Sequence, residues 1–403
     1  MPDSTSSPAT GAGIHHAVIA GVVTAVVGFT SSFAVVLAGL TAVGASPQQA
    51  ASGLLVLCVT MGAGSLFFSL RYRMPITMAW STPGAALLAG ATAPSVGFGG
   101  AVTAFALSGL LLAACGLIRP LGQLVGKIPP ALANAMLAGV LLTLCIAPFT
   151  AVVANPAAIA PVIVAWLLVS RFAPRWAVPV ALAVALVVIV LSGSLTHLTD
   201  VRLGPIVEIS SPAWDPAAIV ALAIPLFLVT MTSQNIPGVA VLASFGYQAP
   251  VAQALIYTGL ASTGGAFLGG HAINLAAISA ALAAGPQAHP DPRKRWIAGA
   301  TTGVAYAAFG PLSALITAVA RAAPAGLMET IAGLALIGTF AAAARAALTD
   351  TRHRDAGAVT FVIAASGVTI AGIGAAFWAL AGGAVYLLVM HTSRPSRSRS
   401  SKH

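Results

Sequence analysis

The stretch Met74-Pro75-Ile76-Thr77-Met78-Ala79-Trp80-Ser81-Thr82-Pro83-Gly84-Ala85-Ala86-Leu87-Leu88 reads poorly as one continuous helix. Its first part is short and extended in character. Ser81 or Thr82 then suits a helix cap. Pro83 suits the first helical position, where a missing N–H costs nothing. A helix is expected to begin near residue 82. A second stretch reads Gly264-Gly265-Ala266-Phe267-Leu268-Gly269-Gly270-His271-Ala272-Ile273-Asn274-Leu275-Ala276-Ala277-Ile278. Glycines run up to His271 and a helix-forming stretch follows, so a second helix start is expected near residue 271. Both stretches are embedded in apolar sequence, and that setting gives the breaks their meaning.

Of the 403 residues, 58% are hydrophobic and only 6% are charged. A soluble domain carries about 25% charged residues. With a mean hydropathy of +0.97, most of the surface must face something apolar, and a lipid bilayer is the simple solvent for it. The formal charge of +10 does not imply nucleic acid, because the basic residues form no single patch. They stand singly or in short clusters between apolar runs, as charges that set membrane orientation do. Cys58, Cys115 and Cys145 each fall inside an apolar run, so neither a disulfide nor a metal site is expected, and no cofactor. Residues 1–15 are read as a disordered N-terminus without the basic region of a secretory signal. The first apolar run is expected to be a retained helix.

A membrane-crossing helix needs about 20 mostly apolar residues. The chain offers fourteen such segments: 16–40, 49–70, 74–93, 99–118, 130–149, 157–171, 175–195, 217–245, 250–267, 269–285, 296–320, 327–348, 356–375 and 376–391. An even count with the N-terminus inside sorts the charges. Arg71, Arg73, Arg119, Lys127, Arg171, Arg175, Arg293, Lys294, Arg295, Arg345, Arg352, Arg354, Arg394, Arg397, Arg399 and Lys402 then lie on the cytoplasmic side. Only Arg202 and Arg321 lie outside. A missing or extra crossing would invert every later loop, so the sorting supports the count. The fold class is thus an all-α polytopic membrane protein, with the Ser- and Arg-rich stretch 392–403 as a basic, disordered tail near anionic lipid.

Fourteen crossings divide as seven plus seven, and an odd number per half sets the halves in opposite orientation. Such inverted repeats are common in secondary transporters. Gly28-Phe29-Thr30-Ser31-Ser32 in the first segment and Thr230-Met231-Thr232-Ser233-Gln234-Asn235 in the eighth are both polar breaks. The third and tenth segments are the two stretches quoted above. Broken helices at matching places mark a binding site, since unsatisfied backbone at mid-membrane survives only against protein or a watery cavity. A helix N-terminus offers free N–H groups and partial positive charge. Two facing one cavity suit an anion, a carboxylate in particular. The plainer alternative is that these Pro and Gly residues only kink packed helices.

Gln234, Asn235 and Asn274 can orient a ligand through their amides, or bond one helix to another. Pro237-Gly238 is expected to break the eighth segment again. His271 is the single titratable side chain placed near the membrane centre. It can carry a coupled proton, pair with an anion, or rest neutral on a carbonyl. Phe29, Phe33, Trp80 and Phe267 lie near the breaks and can stack an aromatic ligand.

At Ala79-Trp80-Ser81-Thr82-Pro83-Gly84-Ala85, Thr232-Ser233-Gln234-Asn235-Ile236-Pro237-Gly238 and Gly270-His271-Ala272-Ile273-Asn274-Leu275-Ala276-Ala277 the chain resembles the benzoate:proton symporter family. That resemblance implies kinship with nucleobase and sulfate transporters. It implies a core domain of 16–118 and 217–320 and a gate domain of 130–195 and 327–391. The substrate would lie between the half-helices of the third and tenth segments. Nucleobase relatives use glutamates in the eighth and tenth segments, where this chain has Gln234, Asn235, His271 and Asn274. The absence of carboxylates there fits an anionic substrate. The candidate substrate-binding set is Ser31, Ser32, Ser81, Thr82, Gly84, Gln234, Asn235, Gly270, His271 and Asn274, with His271 the candidate proton carrier. The expected function is proton-coupled uptake of benzoate or a similar aromatic carboxylate across a bacterial inner membrane. Relatives of the fold often dimerise through the gate domain, so a homodimer is also expected. The alternatives are a transporter of another small anion or nucleobase, or a passive anion channel. No nucleophile–base pair or nucleotide motif suggests an enzyme.

Overall fold

Apolar runs punctuated by Ser, Pro and Gly fold as helices whose ends those residues set. Ser46 shows the pattern. Its hydroxyl accepts from Gln49 N–H at 3.2 Å, the Gln49 side chain accepts from Ser46 N–H at 2.9 Å, and Pro47 opens the helix. The computed structural model describes residues 13–125, 129–194, 204–277 and 279–392. Residues 1–12 and the tail 393–403, both expected to be disordered, lie outside the described residues, as do Lys127 and Arg202.

In the first half, α1 (Ile14–Thr30) and α2 (Phe33–Ala42) form one run interrupted at Ser31 and Ser32. There follow α3 (Pro47–Tyr72), β1 (Met78–Trp80), α4 (Thr82–Ala89), α5 (Phe98–Leu117), the short α6 (Arg119–Val125), α7 (Pro130–Ala154), α8 (Pro156–Phe172) and α9 (Ala177–Leu191). The second half begins with α10 (Pro216–Ala218), α11 (Ile224–Thr230) and α12 (Ile236–Ser244), joined into one rod by π-helical turns at Ile219–Ala223 and Met231–Asn235. It continues through α13 (Val251–Ala266), β2 (Ile273–Leu275), α14 (Ala280–Ala284), α15 (Trp296–Phe309), α16 (Ser313–Ala322), α17 (Leu327–Thr349), α18 (Arg354–Ala365) and α19 (Ala375–Thr392).

Among the described residues, 8 helical stretches are long and apolar enough to cross a membrane, from Ile14–Ala42 to Leu327–Thr349. Large apolar side chains stand on the outside of the bundle. Val153 and Phe172 are each 82% exposed, which suits lipid and not water. Helix α7 packs on α17, α18 and α19, α18 packs on α17 and α19, and α8 packs on α9. Separately, α3 packs on α15, α5 on α13, α1 on α15 and α2 on α4. The α3–α15 crossing is close because Gly62 and Gly303 meet. A Cβ on either would lie 2.6–2.7 Å from the carbonyl oxygen of the other. Small residues at such crossings let membrane helices approach.

Three expectations need correction. First, Pro237-Gly238 does not break its helix. The π turn Met231–Asn235 precedes α12 directly and absorbs the hydrogen bond that Pro237 cannot make. Second, no helix begins near residue 271. Residues 273–275 form β2, which pairs antiparallel with β1 in the register Met78↔Leu275, Ala79↔Asn274 and Trp80↔Ile273. Flanking bonds run from Ser81 N–H to Ala272 O at 2.8 Å and from Ala276 N–H to Thr77 O at 2.9 Å. The two broken segments thus satisfy each other's backbone, adding a small sheet to a fold expected to be all-α. Third, the segment expected at 356–375 ends as a helix at Ala365, and the backbone turns at Gly367 and Gly372, both with positive φ.

Candidate functional site

The site is built around the end of β1. Ser81 caps α4, its hydroxyl accepting from Gly84 N–H at 3.1 Å. Its carbonyl accepts from Ala85 N–H at 2.7 Å. Pro83 has no N–H, so Thr82 N–H is left without a partner among the described residues at the head of α4. Gly84 is where the helix passes its neighbours: a Cβ there would lie 2.5 Å from Leu226 Cδ1 and 2.7 Å from Ser81 Oγ. The helix start expected near residue 82 is therefore present, with Ser81 as its cap.

Beside this helix head lies a cavity of about 60 Å³. Ser31, Ser32, Thr82 and Gln234 line it, together with Trp80 and Tyr306. Among its lining residues none is Asp, Glu, Lys, Arg or His. Gln234 is 4% exposed and its amide makes no hydrogen bond to any described residue. The π turn sets this side chain in the cavity wall, where a ligand can take the amide's bonds. Ser31 and Ser32 bond back to Gly28 O at 3.1 and 3.3 Å. The Ser32 hydroxyl also accepts from Trp80 Nε1 at 2.8 Å, which fixes the indole as one wall. Phe29 tilts against Trp80 with ring centres 5.3 Å apart and stacks on Phe33 at 5.5 Å. These two phenyl rings back the indole and are not among the lining residues. Phe267 is 40% exposed and is also absent from the lining.

The remaining sequence-derived candidates lie behind the wall. His271 is fully buried, and its Nε2–H donates to Ser81 O at 3.1 Å. A carbonyl only accepts, so Nδ1 is the bare nitrogen, and it has no partner among the described residues. The His271 ring stands edge-on to Phe105 at 6.5 Å. Asn235 is a clamp: its Oδ1 accepts from Leu275 N–H at 3.0 Å and its Nδ2 donates to Thr230 O at 3.4 Å, tying the π turn to β2. Asn274 donates to Leu275 O at 2.8 Å and leaves Oδ1 without a partner among the described residues. Gly270 packs against Val56, where a Cβ would lie 2.7 Å from Cγ1. The cavity therefore brings together Ser31, Ser32, Thr82 and Gln234, with Ser81 and Gly84 at its edge. It does not bring in Asn235, Gly270, His271 or Asn274.

Tyr306 is the residue that the sequence reading missed. It is 1% exposed yet lines the cavity, and its hydroxyl lies beside the Ser279 side chain. A Cβ on Gly28 would overlap that hydroxyl. A tyrosine in the middle of the apolar run 296–320, among Ala and Gly, was the available signal. The chemistry on offer is a set of neutral donors (amide, hydroxyls and a helix-head N–H) beside an indole face. At about 60 Å³ the cavity is tighter than the roughly 150 Å³ pocket known to admit benzene, so a ring enters only as the walls move.

The sequence matches the family described as benzoate membrane transport protein (BenE) over residues 13–389. It is 36% identical over 374 residues to the inner membrane protein YdcO of Escherichia coli, covering 93% of this chain and 95% of that one. The benzoate membrane transport protein of Acinetobacter baylyi is 29% identical over 367 residues, covering 90% of this chain and 92% of that one. Among solved structures, the murine Slc26a9 anion transporter in its inward-facing state aligns with a TM-score of 0.62 at 13% identity, covering 96% of this chain and 70% of that one. The transmembrane domain of the cyanobacterial bicarbonate transporter BicA aligns at 0.54 and 18% identity, covering 93% and 95%. At such identities the structural likeness speaks for the fold alone. With the family match running nearly end to end, the chain belongs to the BenE family and is a multi-pass membrane transporter, not an enzyme.

Proposed function

We propose that the chain takes up benzoate or a similar aromatic carboxylate together with protons, by alternating access. The observation that carries this reading is the cavity at the head of α4, where neutral donors and the Trp80 face stand together without a charged side chain. A carboxylate accepts from Thr82 and from the Gln234 amide, and its ring lies along the indole. No nearby carboxylate repels it. The similarity to the Acinetobacter baylyi protein, whose name gives benzoate as its cargo, supports the same substrate class.

The architecture in this reading is fourteen crossings in a seven-plus-seven inverted repeat, with both termini cytoplasmic. Packing of α17, α18 and α19 around α7 supports a gate domain distinct from the core that carries β1 and β2. A homodimer built on the gate domain belongs to the same reading, as does an inner-membrane location, which the likeness to YdcO supports.

His271 is the proton carrier in this reading. Its Nδ1 is open to a proton while Nε2–H holds Ser81, the cap of the helix that faces the anion. An imidazolium there offsets the carboxylate's charge, so proton and substrate favour each other. Co-entry also offsets the cost of moving an anion into a negative cell, about 2.3 kcal/mol per charge per 100 mV.

The test is uptake of radiolabelled benzoate into proteoliposomes with and without an inward proton gradient. Accumulation that a protonophore abolishes supports both substrate and coupling. Downhill flux alone would make the protein a passive channel. No flux would turn the search to other small anions and nucleobases.

A further inference from the structure

The central cavity is too tight for a ring, but the end of the bundle that the charge distribution assigns to the outside has room. A cavity of about 470 Å³ lies between α2, the start of α3, the end of α16 and the start of α17. Ala34, Leu37, Ala38 and Met328 supply an apolar wall. Arg321 stands on the opposite side, and it also lines a neighbouring cavity of about 930 Å³. Its guanidinium makes no ion pair or hydrogen bond with any described residue.

Thr317 lies one helical turn before Arg321 and lines both cavities. It is 6% exposed, and its hydroxyl has no partner among the described residues. Other helical threonines here spend that hydroxyl on the carbonyl four residues back, as Thr24, Thr302 and Thr330 do. Residues four apart share a helix face, so Arg321 and Thr317 stand side by side, an unpaired cation next to a buried hydroxyl that a rotamer change can turn to a ligand. A place at the C-terminal end of α16 accounts for the charge of Arg321, but not for the idle hydroxyl beside it or the apolar wall opposite. Two carboxylates also face this space. Glu329 lines the smaller cavity from the first turn of α17, where the helix dipole favours it, and Glu208 lines the larger one. Neither pairs with Arg321, so an anion is confined to the Arg321–Thr317 face.

We propose that this vestibule is a second, weaker carboxylate site. There an aromatic acid docks by its charge on Arg321 and Thr317, with its ring on the α2 wall, before it reaches the central cavity. Helix α2 joins the two places, since it lines the vestibule and begins at Ser32 of the central site. The proposal rests on the carboxylate reading of the function.

The test is equilibrium binding of radiolabelled benzoate to the full chain in nanodiscs of neutral phosphatidylcholine, which exclude anionic headgroups as competitors. Two classes of site are expected. R321Q should abolish the weak class, T317V should weaken it by about two- to fivefold, as suits one neutral hydrogen bond, and E329Q should tighten it. R321K should retain it, which guards against a mere folding defect, and Q234L should weaken only the tight class, by roughly tenfold. A single class of site untouched by R321Q and E329Q would overturn the vestibule while leaving the central reading intact. A weak class lost in R321Q with no class sensitive to Q234L would keep the vestibule and overturn the central assignment. No benzoate binding at all would overturn both.

Discussion

The hydroxyls of Ser81 and Thr230 lie 2.8 Å apart, joining the cap of α4 to the turn before the π bulge of the eighth segment. Ser81 thus serves five partners, since its hydroxyl also accepts from Gly84 N–H, its carbonyl holds His271 and Ala85 N–H, and its N–H donates to Ala272 O. S81A removes a cap and a buried hydroxyl pair, each worth about 1 kcal/mol. Its thermal midpoint in detergent should fall by several degrees, and transport should fall further. T230V removes the pair but keeps the cap, and should cost about half as much. Equal midpoints for S81A and wild type would show that the cap contributes little.

Gln234 holds an unpartnered amide on the cavity wall, so its polarity has no structural use in the empty site. Q234L should leave the protein folded and membrane-inserted, and should even raise its thermal midpoint slightly. Its KM for substrate should rise by roughly tenfold, the worth of one buried hydrogen bond to a charged group at about 1.5 kcal/mol. An unchanged KM would remove Gln234 from the site.

Gly28 and Tyr306 meet where no Cβ fits. G28A should push the phenol into the cavity and cut transport strongly, with normal expression. In the double variant G28A/Y306F the missing hydroxyl makes room, and activity should recover in part. No recovery would place the damage in the helix and not in the cavity wall.

How much of this was legible in the sequence follows the range of the forces involved. The cap at Ser81 was legible because Ser, Thr and Pro at a helix start act within four residues. Gln234 was legible because a polar residue in an apolar run stands out. The pairing of Met78 with Leu275 was not, because strand partners so far apart leave no local mark. That pairing also explains the misplaced helix start near residue 271: residues that suit a helix were held extended by a partner across the bundle. For Asn235 and Asn274 the sequence leaves two uses open, a ligand contact or a bond to a neighbouring element, and composition does not separate them; the structure shows both amides bonded to backbone. The π turn was hidden for the same reason, since Pro237-Gly238 reads as a break unless the bulge before it is seen.

Asp215 opens the second half of the chain. Its carboxylate accepts from Ala218 N–H at 3.1 Å and from the Ser95 hydroxyl at 3.0 Å. The Ala218 bond first, helped by Ser95 and opposed by burial, holds the carboxyl below its ordinary range. A lowered folded value means that the stabilisation is complete above the unfolded value of roughly 4 and fades as pH falls through the lower folded one. D215A should lose about 1 kcal/mol as a helix cap. The gap in thermal midpoint between wild type and D215A should be widest at neutral pH and should narrow toward pH 3. A gap that does not change with pH would mean that the carboxylate's charge plays no part.

His271 tests the coupling. Its ring reaches the substrate only through Ser81, so its loss should spare binding more than it spares proton use. H271Q keeps a donor for the Ser81 carbonyl but cannot take a proton. In proteoliposomes it should still exchange internal for external benzoate, because exchange needs no net proton movement. Accumulation driven by a proton gradient should fall to the level set by diffusion. H271A, which also drops the hydrogen bond, should lose stability as well. If H271Q loses exchange and accumulation alike, His271 is a binding residue whose effect reaches the carboxylate through the helix head. If it keeps both, the proton travels by another group, and Tyr306, with its hydroxyl beside Ser279 at the cavity wall, is the next to replace.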